Sequence, residues 1–282
     1  MAVCYFQPNR VRASSKQRIV MTYRQLSAQA LAESDYESFV TELERSLTDG
    51  RKDPNLVVQE TLTHIYYGPT NMRLDQLPVA ARAVIHTFDP RNITTEPEYY
   101  TDIDPTRYLV RKPFMWLWQM FDRSPLGQNA LLGHRLRRML APHIFARVGE
   151  NFKCWHFVEW SFGYNLSIGD NVVVHRYVLL DDRGGIEIGN NVSISDYANV
   201  YSHTHDINDI HKVYTPVTTI GDGVRLTYHS TVLAGVKVGE NAMVGTSAVV
   251  TRNVPPNHIV VGIPAKTVKV KGETSDASSA AK

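Results

Sequence analysis

The chain has 282 residues, of which 43% are hydrophobic and 21% charged, a balance that supports a buried core and excludes a globally disordered polymer. A formal net charge of +2 gives no global attraction to nucleic acid or to acidic partners. Two cysteines, Cys4 and Cys154, exclude a disulfide framework and a cysteine-based zinc site. The opening segment MAVCYFQPNRVRASSK has no apolar h-region, and no apolar run approaches the roughly 18 residues that a membrane span needs. The expectation is a cytoplasmic protein in two parts.

Residues 1–145 read as an α-helical region. Gln17 to Leu47 is rich in helix formers and free of Pro and Gly, and Asn55 to Tyr67 and Leu77 to Phe88 look like shorter helices. Thr94 to Pro105, acidic and containing Pro97 and Pro105, reads as a loop. FMWLWQMF after Pro113 and ALLGHRLRRMLAPHIF after Ser124-Pro125 give two further amphipathic helices. From Arg107 to Arg147 there are eight Lys/Arg residues against one acid, Asp122, mixed with Phe114, Trp116, Trp118, Phe121, Leu131, Leu132, Leu136 and Leu140. Such a mixture suits an anionic membrane surface. It equally suits a cap on the open end of whatever follows, which is the preferred reading because the segment leads straight into it.

A repeat then takes over. From Ile220 the chain reads IGDGVR, LTYHST, VLAGVK, VGENAM, VGTSAV, VTRNVP, with an aliphatic residue every six positions and a small or β-branched residue in the fifth place, from Val224 and Ser230 to Ala248 and Val254. The beat runs upstream through Phe162, Ile168, Val174 and Leu180, slips by two residues, and resumes at Ile188, Ile194 and Val200. A period of six fits neither a helix nor an alternating strand. It fits a three-sided parallel β-helix about five coils tall, in which each aliphatic residue stacks on its counterpart 18 residues away and the small residue turns into the corner. This part spans residues 146–270. The tail, 271–282, is small and polar and is expected to be disordered.

The segments IEIGNNVSISDYANVYSHTHD and TTIGDGVRLTYHSTVLAGVKVGENAMVGTSAVVTRNVPPNHIVVGIPAK, which close on Val254-Pro255-Pro256-Asn257 and Gly262-Ile263-Pro264-Ala265-Lys266, resemble the galactoside and maltose O-acetyltransferase group of hexapeptide acyltransferases. The resemblance covers about residues 149–269. It implies a left-handed β-helix, a homotrimer and acyl-CoA, most simply acetyl-CoA, as co-substrate with no metal. The handedness belongs to the family and not to the spacing.

Val200 and Ile220 lie 20 residues apart where a continuous repeat allows six, so a loop protrudes over residues 201–219. It carries His203, His205, Asp206, Asp209 and His211. The family's general base is a histidine in this loop, and the alignment places His205 on it. O-acylation needs such a base, because an alcohol must lose its proton as it attacks the thioester. Which acid orients the ring, Asp206 or Asp209, stays open. By family position Thr246, Thr251, Arg252, Lys266 and Lys269 serve the coenzyme, whose phosphates call for basic groups and backbone N–H. His175, Arg176, Asp181, Asp182 and His203 serve the acceptor. Arg225 joins them as a departure, standing where the family commonly has Trp. The function implied is acyl transfer to a hydroxyl of a saccharide or glycoconjugate, with a glycolipid favoured if the membrane reading held. Alternatives are N-acetylation of an amino-sugar or xenobiotic, a γ-carbonic-anhydrase-like metalloenzyme, and a non-catalytic trimeric scaffold. No nucleic-acid motif is present.

Overall fold

The computed structural model describes residues 25–68 and 73–272. Six helices, α1 (Ala30–Thr48), α2 (Pro54–Tyr67), α3 (Val79–Thr87), α4 (Pro105–Leu109), α5 (Lys112–Asp122) and α6 (Ala130–Ile144), precede a run of short strands that begins at Arg147–Val148. Residues 25–29 are not helical, and the earlier part of the helix expected from Gln17 lies outside the described residues, as does the tail beyond Gly272. The Thr94–Pro105 loop holds one short 3-10 turn, Glu96–Tyr99, closed by a capping box of Thr95 and Glu98. Among the described residues no helix is long and apolar enough to cross a membrane.

The strands form a three-faced parallel β-solenoid of about six turns, each face pairing strands from successive coils, with one antiparallel closing strand, Lys266–Val270, on the second face. One inward ladder runs Val148, Ile168, Ile188, Ile220, Val238, Val254. A second runs Cys154, Val174, Ile194, Leu226, Val244, Val260, and a third Trp160, Leu180, Val200, Val232, Val250. The later coils keep the expected spacing of 18, as between Val232 and Val250. The first coils use 20, as between Cys154 and Val174. The two extra residues sit in the third corner, and the beat slips by two there. For the same reason Trp160, not Phe162, holds the ladder position of its coil. The stack is one turn taller than the repeat alone indicates, because Arg147–Val148 opens it and the closing segment His258–Val261 adds a last strand.

The helices plug the open first coil. Trp118 packs edge-on to Phe145 and Trp160 at 6.0 and 5.0 Å between ring centres, and Phe114, Phe121, Leu132, Leu136 and Leu140 are all buried in one core continuous with the ladders. The basic residues are spent on the seam. Arg137 is buried, bonds Asp122 at 2.6 Å and reaches the carbonyls of Gly127 and Cys154. Arg111 and Arg138 bond the carbonyls of Ile144 and Phe152, Arg107 that of Tyr164, and Lys112 both Ile93 and Glu98. The excess positive charge therefore satisfies backbone acceptors at the junction. Six of the eight apolar residues of this stretch are buried in the core, Trp116 is half-buried against it and Leu131 is half-buried outside it, an arrangement that fits the cap.

His134 of α6 meets the Cys154 carbonyl through Nδ1 at 3.0 Å, and burial pushes its pKa down to about 4. An unfolded histidine titrates near 6.5, so between about pH 6.5 and 4 the unfolded chain binds the extra proton and stability falls as pH falls. We expect an acid limb of about 2–3 kcal/mol in the stability profile. His134→Gln should flatten it when melting temperatures are compared at neutral and acid pH, and parallel profiles would show that another group sets the limb.

Candidate active site

The protruding loop leaves the prism at the third corner, and buried hydroxyls pin both of its ends. Ser202 donates from Oγ to the Asp181 carbonyl at 2.5 Å and accepts from the Gly184 N–H at 2.9 Å. Thr218 donates to the Tyr201 carbonyl at 2.6 Å and accepts from the Gly235 N–H at 2.9 Å. Both residues are fully buried. Gly184 and Gly185 make the corner beneath: a Cβ on Gly184 would collide with the Ser202 carbonyl oxygen, and Gly185 has φ +105°. The LLDDRGG turn is thus the floor on which the loop stands.

Within the loop, Thr204–His205 pairs antiparallel with Val213–Tyr214. The Asp206 carboxylate accepts from the N–H groups of Asn208 and Asp209 and from the Tyr214 hydroxyl, which holds its carboxyl below the usual range. Asp209 caps the His211 N–H. Both acids are spent on the hairpin turn, so neither orients His205. That part falls to a backbone group: His205 Nδ1 lies 2.7 Å from the Ile210 carbonyl. A carbonyl accepts only, so Nδ1 carries a proton, and in the neutral ring Nε2 is the nitrogen with the lone pair.

His205 lines a cavity of about 440 Å³ with Tyr201, His203, Leu233, Ala234 and Thr251. The His203 and His205 rings stand edge to face with centres 5.5 Å apart. His203 presents Nδ1 to the carboxylate of Asp181, a buried residue whose other oxygen accepts from Ser161 Oγ at 2.9 Å. The sequence singled out His203 and Asp181 separately; their pairing across coils was not visible in it. The same His203 and Asp181 line a larger cavity of about 610 Å³, walled on its far side by the helical region.

Other expected residues are placed elsewhere. Asp182 is fully buried, and its carboxylate accepts from the N–H groups of Phe162 (2.7 Å) and Asn165 (3.1 Å); it is a structural cap of the corner, not an acceptor contact, and burial raises its pKa to about 6. His175 and Arg176 occupy the second corner, with Arg176 bonded to Asp196 at 2.8 Å and His175 stacked on Trp155. Arg225 is exposed on the second face beside Ser193 and Met243. Neither cavity that His203 lines includes these three residues. Thr246 is exposed at the second corner near Thr227, while Arg252, Lys266 and Lys269 are exposed along the last turn and closing strands. Among the described residues no three His, Cys, Asp or Glu side chains converge on one metal-sized site.

Over 137 residues the chain is 31% identical to the galactoside O-acetyltransferase of Escherichia coli K12, which spans 47% of this chain and 68% of that protein. A putative acetyltransferase of Saccharomyces cerevisiae is 30% identical over 183 residues, spanning 63% of this chain and 90% of its own length. The chain belongs to the hexapeptide-repeat acetyltransferases of the galactoside and maltose O-acetyltransferase group. No family model matches it. Among solved structures, a maltose O-acetyltransferase from Clostridium difficile 630 superposes with a TM-score of 0.54 at 25% identity, covering 64% of this chain and 99% of that one. A galactoside acetyltransferase in complex with coenzyme A gives 0.52 at 27% identity, covering 61% and 85%. In this acetyltransferase the superposed structures cover under two thirds of the chain.

Removing the Asp182 carboxylate leaves two buried N–H groups unsatisfied. Asp182→Ala is expected to lower stability by roughly 2–5 kcal/mol, read from the denaturant midpoint. A loss of acceptor affinity at unchanged stability would instead return Asp182 to the acceptor site.

Proposed function

We propose that the protein transfers an acetyl group from acetyl-CoA to a hydroxyl of a saccharide or glycoconjugate, with His205 as general base. The observation that carries this reading is the Nδ1 contact of His205 with the Ile210 carbonyl, which leaves Nε2 free inside the cavity shared with Thr251. Nε2 takes the proton of the acceptor hydroxyl as its oxygen bonds to the thioester carbonyl carbon. The developing oxyanion needs a pre-aimed donor, a backbone N–H of a neighbouring coil being the simplest. When the carbon–sulfur bond breaks, the imidazolium returns its proton to the departing thiolate, so the base is regenerated and no acyl-enzyme is required. Cys154, the cysteine of the prism region, is buried and its thiol pKa is pushed up by burial, which suits packing and not nucleophilic attack.

Coenzyme A fits the last coils on the chemistry of the groups there. Arg252, Lys266 and Lys269 are exposed and carry no ion-pair partner among the described residues, and three free cations are what a pyrophosphate and a 3′-phosphate require. Thr251 links that surface to the cavity of His205, and Thr246 is the further expected contact to the pantetheine arm. A homotrimer is proposed from the family, with His175, Arg176 and Arg225 available to sites between neighbouring chains because they stand on other sides of the prism.

His205→Ala is expected to lower kcat by roughly 10²–10⁴-fold in an assay of free thiol released from acetyl-CoA, with coenzyme A affinity unchanged by calorimetry. Persistent release would pass the role to His203. Arg252→Ala and Lys266→Ala should each raise the KM for acetyl-CoA several-fold, with the difference shrinking at high salt because exposed charge pairs are screened. A single-chain mass by analytical ultracentrifugation would sink the trimer.

A further inference from the structure

The hairpin that carries His205 has no apolar core. No residue from 204 to 217 is buried, and Ile207 and Ile210 in its turn are 99% and 70% exposed. A lone two-stranded hairpin is marginal in water, and this one pairs only Thr204 with Tyr214 and His205 with Val213. Beyond that ladder, the turn takes its shape from hydrogen bonds.

Two carboxylates make most of them. Asp206 Oδ1 accepts from the N–H groups of Asn208 at 2.9 Å and Asp209 at 3.2 Å, and its Oδ2 accepts from the Tyr214 hydroxyl at 3.1 Å. The first half of the turn is thereby tied to the returning strand. Asp209 holds the second half. Its carbonyl accepts from the Lys212 N–H at 3.0 Å, and its carboxylate from the His211 N–H at 3.0 Å.

That last bond bears on the base. The His211 N–H and the Ile210 carbonyl are the two ends of one planar trans peptide, and they point in opposite directions. Drawing the N–H to Asp209 turns the carbonyl the other way, and the carbonyl lies 2.7 Å from His205 Nδ1. The same bond polarises the carbonyl and strengthens it as an acceptor. A ring released from this contact is free to carry its proton on Nε2, and Nε2 then has no lone pair with which to take a proton.

We propose that Tyr214, Asp206 and Asp209 form a relay that sets the tautomer of His205 through the 210–211 peptide. None of the three is hydrogen-bonded to the imidazole, so they are positioning residues. The proposal rests on His205 as general base and deepens that reading, because it names what keeps Nε2 as the basic nitrogen.

The test uses the full chain with histidine-selective nitrogen labelling, and the His205 signals are identified by their loss in His205→Ala. NMR at mildly alkaline pH, where a histidine ring is neutral, should show wild-type His205 protonated on Nδ1. Asp206→Ala and Asp209→Ala should each move it towards the Nε2–H form. Each should lower kcat by about tenfold or more in thiol release from acetyl-CoA with methyl β-galactoside or glucosamine, with the KM for acetyl-CoA and the melting temperature unchanged. Asp206→Asn and Asp209→Asn, whose amide oxygens still accept from backbone N–H, should recover most of the loss. Tyr214→Phe should cost about threefold, and nothing further when added to Asp206→Ala, because the hydroxyl acts through that carboxylate. Ile207→Ser, in the turn but outside the relay, should change neither tautomer nor kcat. An Nε2–H ring in wild type, a kcat loss in the alanine variants with the Nδ1–H form retained, or an equal effect of Ile207→Ser would each overturn the proposal. A tautomer that shifts in Asp209→Ala while His205→Ala keeps full thiol release would keep the relay and overturn the choice of base. The same shift in a protein that releases no thiol with either acceptor would keep the relay and count against the transferase reading alone.

Discussion

Parallel stacking at one strand spacing governs this molecule. Each ladder residue must lie directly over its counterpart in the coil below, as Leu226 does over Ile194 and Val244 over Leu226, so no strand can gain or lose a residue without turning its inward side chain outward. Extra chain is admitted only at corners. The two additional residues of each early coil and the whole protruding loop leave at the same third corner, and both cavities that His203 lines adjoin it for that reason. The ends of the stack obey the same rule in reverse: the first coil has nothing beneath it, and the helical region supplies the missing layer with Trp118 and Phe145, which meets Phe152 of the first coil.

Corners impose a second cost, which the sequence meets in two ways. The turn between the first and second faces puts a residue in the left-handed region, and there the chain uses Asn151, Asn171, Asn191, Gly223, Asn241 and Asn257, residue types that tolerate positive φ. The turn between the second and third faces instead places Phe157, Tyr177, Tyr197 and His229 at φ from 56° to 61°. A bulky residue there is strained by about 1–3 kcal/mol. These four compensate by stacking into a ladder of rings at centre separations of 5.2, 4.8 and 4.8 Å, each contact returning about 0.5–1.5 kcal/mol. At the third corner the compensation is polar: Asp182, Ser202 and Thr218 each bond backbone groups of an adjacent coil while fully buried. That choice is costly in a dry interior, but it fixes the exit and re-entry of the loop.

The prism was legible because its period is printed on every coil by Val, Ile and Leu at fixed intervals. The loop was legible as a break in that period. What the sequence did not disclose depends on residues brought together across coils or through backbone atoms. The Asp181–His203 pair joins neighbouring coils, twenty-odd positions apart in the chain. The group that orients His205 is the carbonyl of Ile210, and no side-chain inventory contains a carbonyl. Asp182 was read with Asp181 as an acceptor residue from the family's positions, yet adjacent strand residues point to opposite sides, and it turns inward. The basic stretch from Arg107 to Arg147 was ambiguous for a related reason. Arginines that bond backbone carbonyls at a seam and arginines that meet a membrane have the same composition, and only burial separates them.

The helical region shows how a cap becomes one wall of a cavity. To close the first coil, α5 and α6 must lie across the prism, and the connection from α3 to α5 must then descend beside the third face. The Tyr164 hydroxyl accepts the Asp104 N–H at 2.8 Å at this junction, and Arg107 covers the Tyr164 ring at 4.2 Å. Arg183 draws Asp102 and Tyr100 to the prism corner next to Asp181. These contacts are made for packing, but they hold residues 93–123 at a fixed distance from His203 and leave a chamber between. A hexapeptide prism alone offers flat faces. Once a cap overhangs the loop corner, the wall it presents is free to vary without disturbing any ladder, and the stacked coils stay as they are.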